Sequence, residues 1–118
     1  MEPTNFEEFW AFYVGEHRNP TCRLFHYVGT SAGYAVAAVA LATLNPWLIP
    51  VGLVVGYGPA WIGHFFIEKN KPASFKYPLW SFFGDAKMLS FALRGRMTDE
   101  VARLEKVGFR VRTSAVTA

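Results

Sequence analysis

The sequence predicts an all-α integral membrane protein, a two-span hairpin within a small helical bundle, and three observations predict it. Between Leu24 and Ile67 there is no Asp, Glu, Lys or Arg, a run of 44 residues, where a single span needs roughly 20 apolar residues. Asn45-Pro46 places a turn signal near the middle of that run. Arg18, Arg23, Lys69, Lys71 and Lys76 flank it on both sides, as cytoplasm-facing anchors of a hairpin do. The 118 residues, 52% hydrophobic and 18% charged, contain no repeat, low-complexity block or linker and are read as a single membrane domain.

Each element follows in order. Thr4 and Glu7 make a capping-box pair, and Phe6, Phe9, Trp10 and Tyr13 recur at helical spacing, so an amphipathic helix is expected over residues 4–16. Its aromatic face suits a membrane surface or the top of a bundle. Gly15 and Asn19-Pro20 end it. The first span is expected over 23–44 and the second over 46–69, with Pro46 in the first turn of the second helix. Pro59 falls mid-helix, where it frees the carbonyl of Val55 and predicts a kink.

A third apolar helix, about 78–94, carries Asp85 and Lys87 and is short for a span. It is expected to pack against the hairpin near the interface. Thr98, with Asp99 and Glu100 behind it, starts a C-terminal amphipathic helix through Val101, Leu104 and Val107, stopped by Gly108. The tail, 112–118, is expected to be disordered. Two spans put both termini on one side, and the basic flanks make that side cytoplasmic.

Composition narrows the function classes. The net charge of +3 resides largely in the flanks of the apolar run, which is the pattern of a membrane anchor and not of a nucleic-acid-binding surface. Cys22 is the only cysteine, so no internal disulfide forms. The first twenty residues carry Glu2, Glu7, Glu8 and Glu16, which argues against a cleaved leader.

The hairpin has a consequence for the histidines. His26 lies 19 residues before Asn45 and His64 lies 19 after it, so on antiparallel helices both stand roughly 28 Å from the turn, at one depth. Gly29, Gly33 and Ala37 on the first helix and Gly52, Gly56 and Ala60 on the second form small-xxx-small stripes that set which faces touch. Each histidine continues its own stripe, which points both rings inward. An ionisable side chain in a span is costly unless paired, solvated or ligating, so a metal site is the leading reading, with haem held between the two rings as another.

Other residues are candidates beside that pair. His64 and Glu68 share a helical face and can converge on one ion; alternatively Glu68 bridges to Lys69 or Lys71 at the water boundary. His17 either completes a cluster of three histidines or caps the first helix in water. Asp85, in an apolar segment, needs Lys87, Arg23 or a metal as partner, and it can equally orient a ligand histidine from behind. Cys22 is more simply a packed thiol. Histidines with a carboxylate are the ligands of non-haem Fe(II) oxygenases, and zinc accepts the same side chains.

Phe12-Tyr13, His17, Asn19-Pro20, Arg23, His26 and Gly29, then Gly63-His64, Glu68, Asn70, Pro72-Ala73, Pro78, Ser81, Asp85 and Met88, resemble the membrane family that includes the fungal endoplasmic-reticulum 2-hydroxy fatty acid dioxygenase. The resemblance covers about residues 6–97. The fungal enzyme is longer and has more spans, and this chain resembles the short, mainly bacterial branch. What the resemblance implies is Fe(II)-dependent α-oxidation, in which molecular oxygen shortens a 2-hydroxy fatty acid by one carbon. It implies His17, His26, His64 and Glu68 as metal-binding and catalytic residues. Arg18, Arg23, Lys69 and Lys71 would then attract the acid head group while the tail stays in lipid. The competing class is a non-catalytic membrane scaffold whose histidines are structural or bind zinc. The oligomeric state has no signature in the sequence.

Overall fold

The computed structural model describes residues 2–112. The tail expected to be disordered therefore lies, beyond Arg112, outside the described residues. All regular structure among the described residues is helical. The chain forms two compact units, a hairpin of residues Asn19–Pro72 and a second unit built from the residues before and after it.

The hairpin consists of α2 (Pro20–Thr43) and α3 (Leu48–Ile62), the latter continuing into a π-helical segment, Gly63–Glu68. α2 starts three residues before the expected position because capping, and not hydropathy, sets its start: the Asn19 side chain accepts the Thr21 N–H, and Pro20 opens the helix. Leu44 ends it in the left-handed region at φ 52°. The second helix starts two residues later than expected, because Pro46 and Trp47 belong to the turn, where the Asn45 side chain accepts the Trp47 N–H.

At 24 and 21 residues, the two helical stretches are about 36 and 31 Å long, enough for a hydrocarbon core of about 30 Å. Their outer faces are exposed: Leu41, Leu53 and Val54 are each more than 50% accessible. A core helix of a water-soluble protein would bury such residues.

The backbones of the two helices come into contact at the glycines. A Cβ built on Gly29 would stand 2.4 Å from the Gly56 carbonyl oxygen, and one on Gly33 would stand 3.3 Å from the Gly56 Cα. Only hydrogen side chains permit that backbone contact. Pro59 lies inside α3 as expected and removes one rung of its ladder. The widening to π winding at Gly63 is the part that α-helical periodicity does not predict.

The second unit contains α1 (Phe6–Gly15), α4 (Pro78–Leu93) and α5 (Met97–Glu105). The cap of α1 is Asn5, not Thr4: the Asn5 side chain accepts the Glu8 N–H at 2.9 Å. Glu8 reaches back to the Thr4 N–H and hydroxyl, each at 3.0 Å, so the capping box is displaced by one residue from the expected Thr4–Glu7 pair.

α1 packs on α4 through Phe9 and Trp80, ring centroids 5.4 Å apart, and through Trp10 and Phe91 at 5.7 Å. α5 is tied to α1 by Glu100, which accepts the Trp10 indole N–H at 2.7 Å and a two-pronged pair of bonds from Arg103 at 2.8 Å. α5 begins at Met97 without a side-chain cap, one residue before the expected Thr98, because Met97 is buried and its packing carries the start. Val107 was expected on the apolar face but lies beyond the helix, 52% exposed. Left-handed Gly108 and Phe109 turn the chain so that Phe109 is buried instead, against Gly15.

Candidate metal centre

His26 and His64 meet inside the hairpin. Their rings stand perpendicular with centroids 4.8 Å apart, and both residues are buried. Gly63 makes this possible: a Cβ there would come within 3.0 Å of Cys22 Sγ and 3.4 Å of its backbone, so the glycine lets the π segment lie directly on the first turn of α2. Cys22 is thus a packed thiol, as its small size suggested.

Both rings are oriented through the same nitrogen. His26 Nδ1 is 3.1 Å from the Cys22 carbonyl oxygen one turn earlier, and His64 Nδ1 is 2.7 Å from Asn70 Oδ1. Oxygen acceptors at Nδ1 hold the proton there and leave Nε2 with the lone pair, the form in which imidazole binds a metal. Asn70 reaches His64 because Lys69 adopts the left-handed conformation, φ 60°, and reverses the chain, with the Asn70 N–H donating to the His64 carbonyl. Asn70 appears among the motif residues, but a spacing of six from His64 matches no helical face, so periodicity could not single it out.

Glu68 makes a contact that its four-residue spacing from His64 did not announce. Its carboxylate accepts the Asn19 N–H at 2.9 Å. It thereby joins the end of the π segment to the residue that caps α2.

In the other unit, His17 follows α1 and is 1% exposed, so the solvent-facing alternative for it does not hold. Its Nδ1 is 2.6 Å from the Tyr13 carbonyl oxygen, and its ring stacks on that of Tyr13 with centroids 4.1 Å apart. His17 is therefore held in the same manner as His26, by the carbonyl four residues earlier, again with Nε2 carrying the lone pair. Tyr13 was noticed in the sequence only as an aromatic of the amphipathic face. The Tyr13 hydroxyl donates to Asp85 Oδ1, so Asp85 finds a partner that neither Lys87, Arg23 nor a metal supplied in the expectation. Burial pushes the Asp85 carboxyl up to about 7, against the opposing pull of the Tyr13 hydrogen bond.

The four basic candidates differ in setting. Lys69 and Lys71 are exposed. Arg18 is exposed too, with its Nε donating to the Gly15 carbonyl and its guanidinium over the Phe109 ring. Arg23 is buried, 8% accessible.

An all-helical chain with two helices long and apolar enough to cross a membrane, and with oriented imidazoles buried at the open end of their hairpin, defines a class of small helical proteins with a histidine site suited to a metal ion. The chain belongs to the Mpo1-like family: the family model described as 2-hydroxy-palmitic acid dioxygenase Mpo1-like matches residues 3–97. Neither the curated proteins nor the solved structures yield a match.

Proposed function

We propose that the protein is a membrane-embedded, Fe(II)-dependent dioxygenase that shortens a 2-hydroxy fatty acid or related lipid by one carbon, with His17, His26 and His64 as the metal ligands. The observation that carries this reading is the common treatment of the imidazoles. All three are buried, and each has its Nδ1 on an oxygen acceptor, which prepares three neutral Nε2 donors. Neutral imidazoles suit iron and zinc alike, and the family description, a dioxygenase, favours iron. Bound Fe(II) would supply the one-electron chemistry by which molecular oxygen reacts with an organic substrate.

The chain's own residues supply placement. Cys22, Asn70 and Tyr13 hold the rings by their Nδ1 atoms, and Glu68 supports the site by fixing the backbone at Asn19. Lys69, Lys71 and Arg18, at the ends of the charge-free run, attract the acid head group, and the exposed apolar faces of α2 and α3 keep the acyl tail in lipid. Haem is disfavoured as the occupant of the His26–His64 pair, since rings with centroids 4.8 Å apart leave no space for a porphyrin plane.

Protein purified without oxygen from membranes tests the reading. Iron near one per chain, consumption of oxygen with 2-hydroxypalmitate and a product one carbon shorter are expected, with both metal and turnover lost in His26→Ala and His64→Ala. Protein that keeps its activity without metal, or that holds zinc and consumes no oxygen after iron loading, would refute it in favour of the scaffold or zinc reading.

A further inference from the structure

Tyr13 touches His17 in two ways that together leave its ring little freedom. The main-chain carbonyl of Tyr13 accepts from His17 Nδ1 at 2.6 Å, and the phenol ring lies against the imidazole, 4.1 Å between centroids and 30° from parallel. The first contact sets the proton and the second sets the ring plane. A carbonyl is available one turn back from any helical histidine; the stacked ring is a second, independent contact.

The phenol is in turn fixed by α4, on the opposite side of the unit in sequence. Its hydroxyl donates to Asp85 Oδ1. Its ring edge lies over Gly84, where an added Cβ would stand 3.1 Å from Cε2 and 3.2 Å from Cδ2, closer than side chains ordinarily pack. Tyr13 is 1% exposed. α4 therefore carries a flat seat, Gly84, beside a hydrogen-bond acceptor, Asp85, and both are used by one ring of α1.

We propose that Tyr13 and Asp85 are positioning residues for His17: Asp85 anchors the Tyr13 hydroxyl, the anchored phenol sets the imidazole plane, and Nε2 is thereby aimed at the metal. This rests on the reading of His17 as a ligand. Asp85 then serves the centre through Tyr13 and not as a ligand. It follows that the third apolar helix, which carries no histidine, belongs to the centre's support.

Co(II) titration of the full chain in detergent, followed by ligand-field absorption, tests this without turnover. Tyr13→Phe keeps the ring and the carbonyl and removes only the hydroxyl. It is expected to weaken Co(II) binding on the order of tenfold, the lower end of what loss of a ligand-orienting partner costs. Asp85→Ala should weaken binding by the same factor, the double variant by no more than either single one, and Asp85→Asn, which still accepts from the phenol, should bind like the parent. In a His17→Ala background Tyr13→Phe should have no further effect, which a merely structural role for the phenol would not produce.

If His17→Ala weakens Co(II) binding while Tyr13→Phe and Asp85→Ala bind like the parent, the proposal is overturned and the metal reading stands. A Tyr13→Phe effect that persists undiminished in the His17→Ala background overturns it as well. If His17→Ala itself binds Co(II) like the parent, the ligand reading of His17 falls and the proposal falls with it.

Discussion

Asp85 is a half-buried carboxyl whose proton is held up to about 7, first by burial, with the Tyr13 hydrogen bond pulling the other way. The folded chain therefore binds this proton more tightly than the unfolded chain does. Between the ordinary carboxylate value of 3.8 and about 7 the native state holds more protons than the unfolded state, so stability falls as pH rises through that window and levels off above it. Thermal midpoints of detergent-solubilised protein across the window should show the decline, and Asp85→Asn should flatten it; parallel curves for parent and variant would assign the decline to other groups. Asn70 makes a second prediction at this scale. Asn70→Ala removes the acceptor 2.7 Å from His64 Nδ1 and should lower metal affinity by roughly 10-fold to 100-fold with little change in helix content, measured by metal titration beside circular dichroism. The asparagine role was not legible in the sequence because a spacing of six matches no helical face, and the tyrosine role because its anchor, Asp85, lies 72 residues away on another helix.

Among the elements, the hairpin gives the sharpest expectation. Gly29→Ala would set a methyl 2.4 Å from the Gly56 carbonyl oxygen, a backbone atom that moves only if the helices separate. A loss of about 1–3 kcal/mol is expected, as for other overpacked sites, together with weaker metal retention because His26 lies three residues away on the same helix. Gly58→Ala is the control: nothing lies within 4 Å of its added Cβ, and helix propensity alone should make the change neutral to stabilising, by up to about 1 kcal/mol. Denaturation midpoints of the two variants, measured side by side, decide the matter. The glycine stripes were legible because four-residue spacing on a helix is geometry in one dimension. The π segment was not, since its winding reflects how residues 63–70 close around His64 and Asn70.

For the whole molecule, the 44-residue charge-free run between basic flanks predicts that the segments before and after the hairpin share one side of the membrane, the cytoplasmic one. Tags placed ahead of α1 and after α5 should both be digested when protease reaches the cytoplasmic face and both be protected when it reaches only the other. Tags of opposite accessibility would remove the two-span topology. The exposed outer faces of α2 and α3 predict that carbonate washing leaves the chain in the membrane fraction, since stripping it would put those residues in water.

Hydropathy, charge placement and turn residues in the sequence determined that the chain is helical, where its long apolar helices run, and that His26 and His64 lie at one depth, because each of these is a property of distance along a helix. Even the side on which the rings face follows from the small-residue stripes. Only the tertiary structure decided what holds the imidazoles: a carbonyl behind His17 and His26, Asn70 behind His64, and Tyr13 with Asp85 behind His17. It also brought Glu68 to the Asn19 N–H. The physical reason is that a hydrogen bond is decided within a few tenths of an ångström, while helical periodicity places a side chain only to a face.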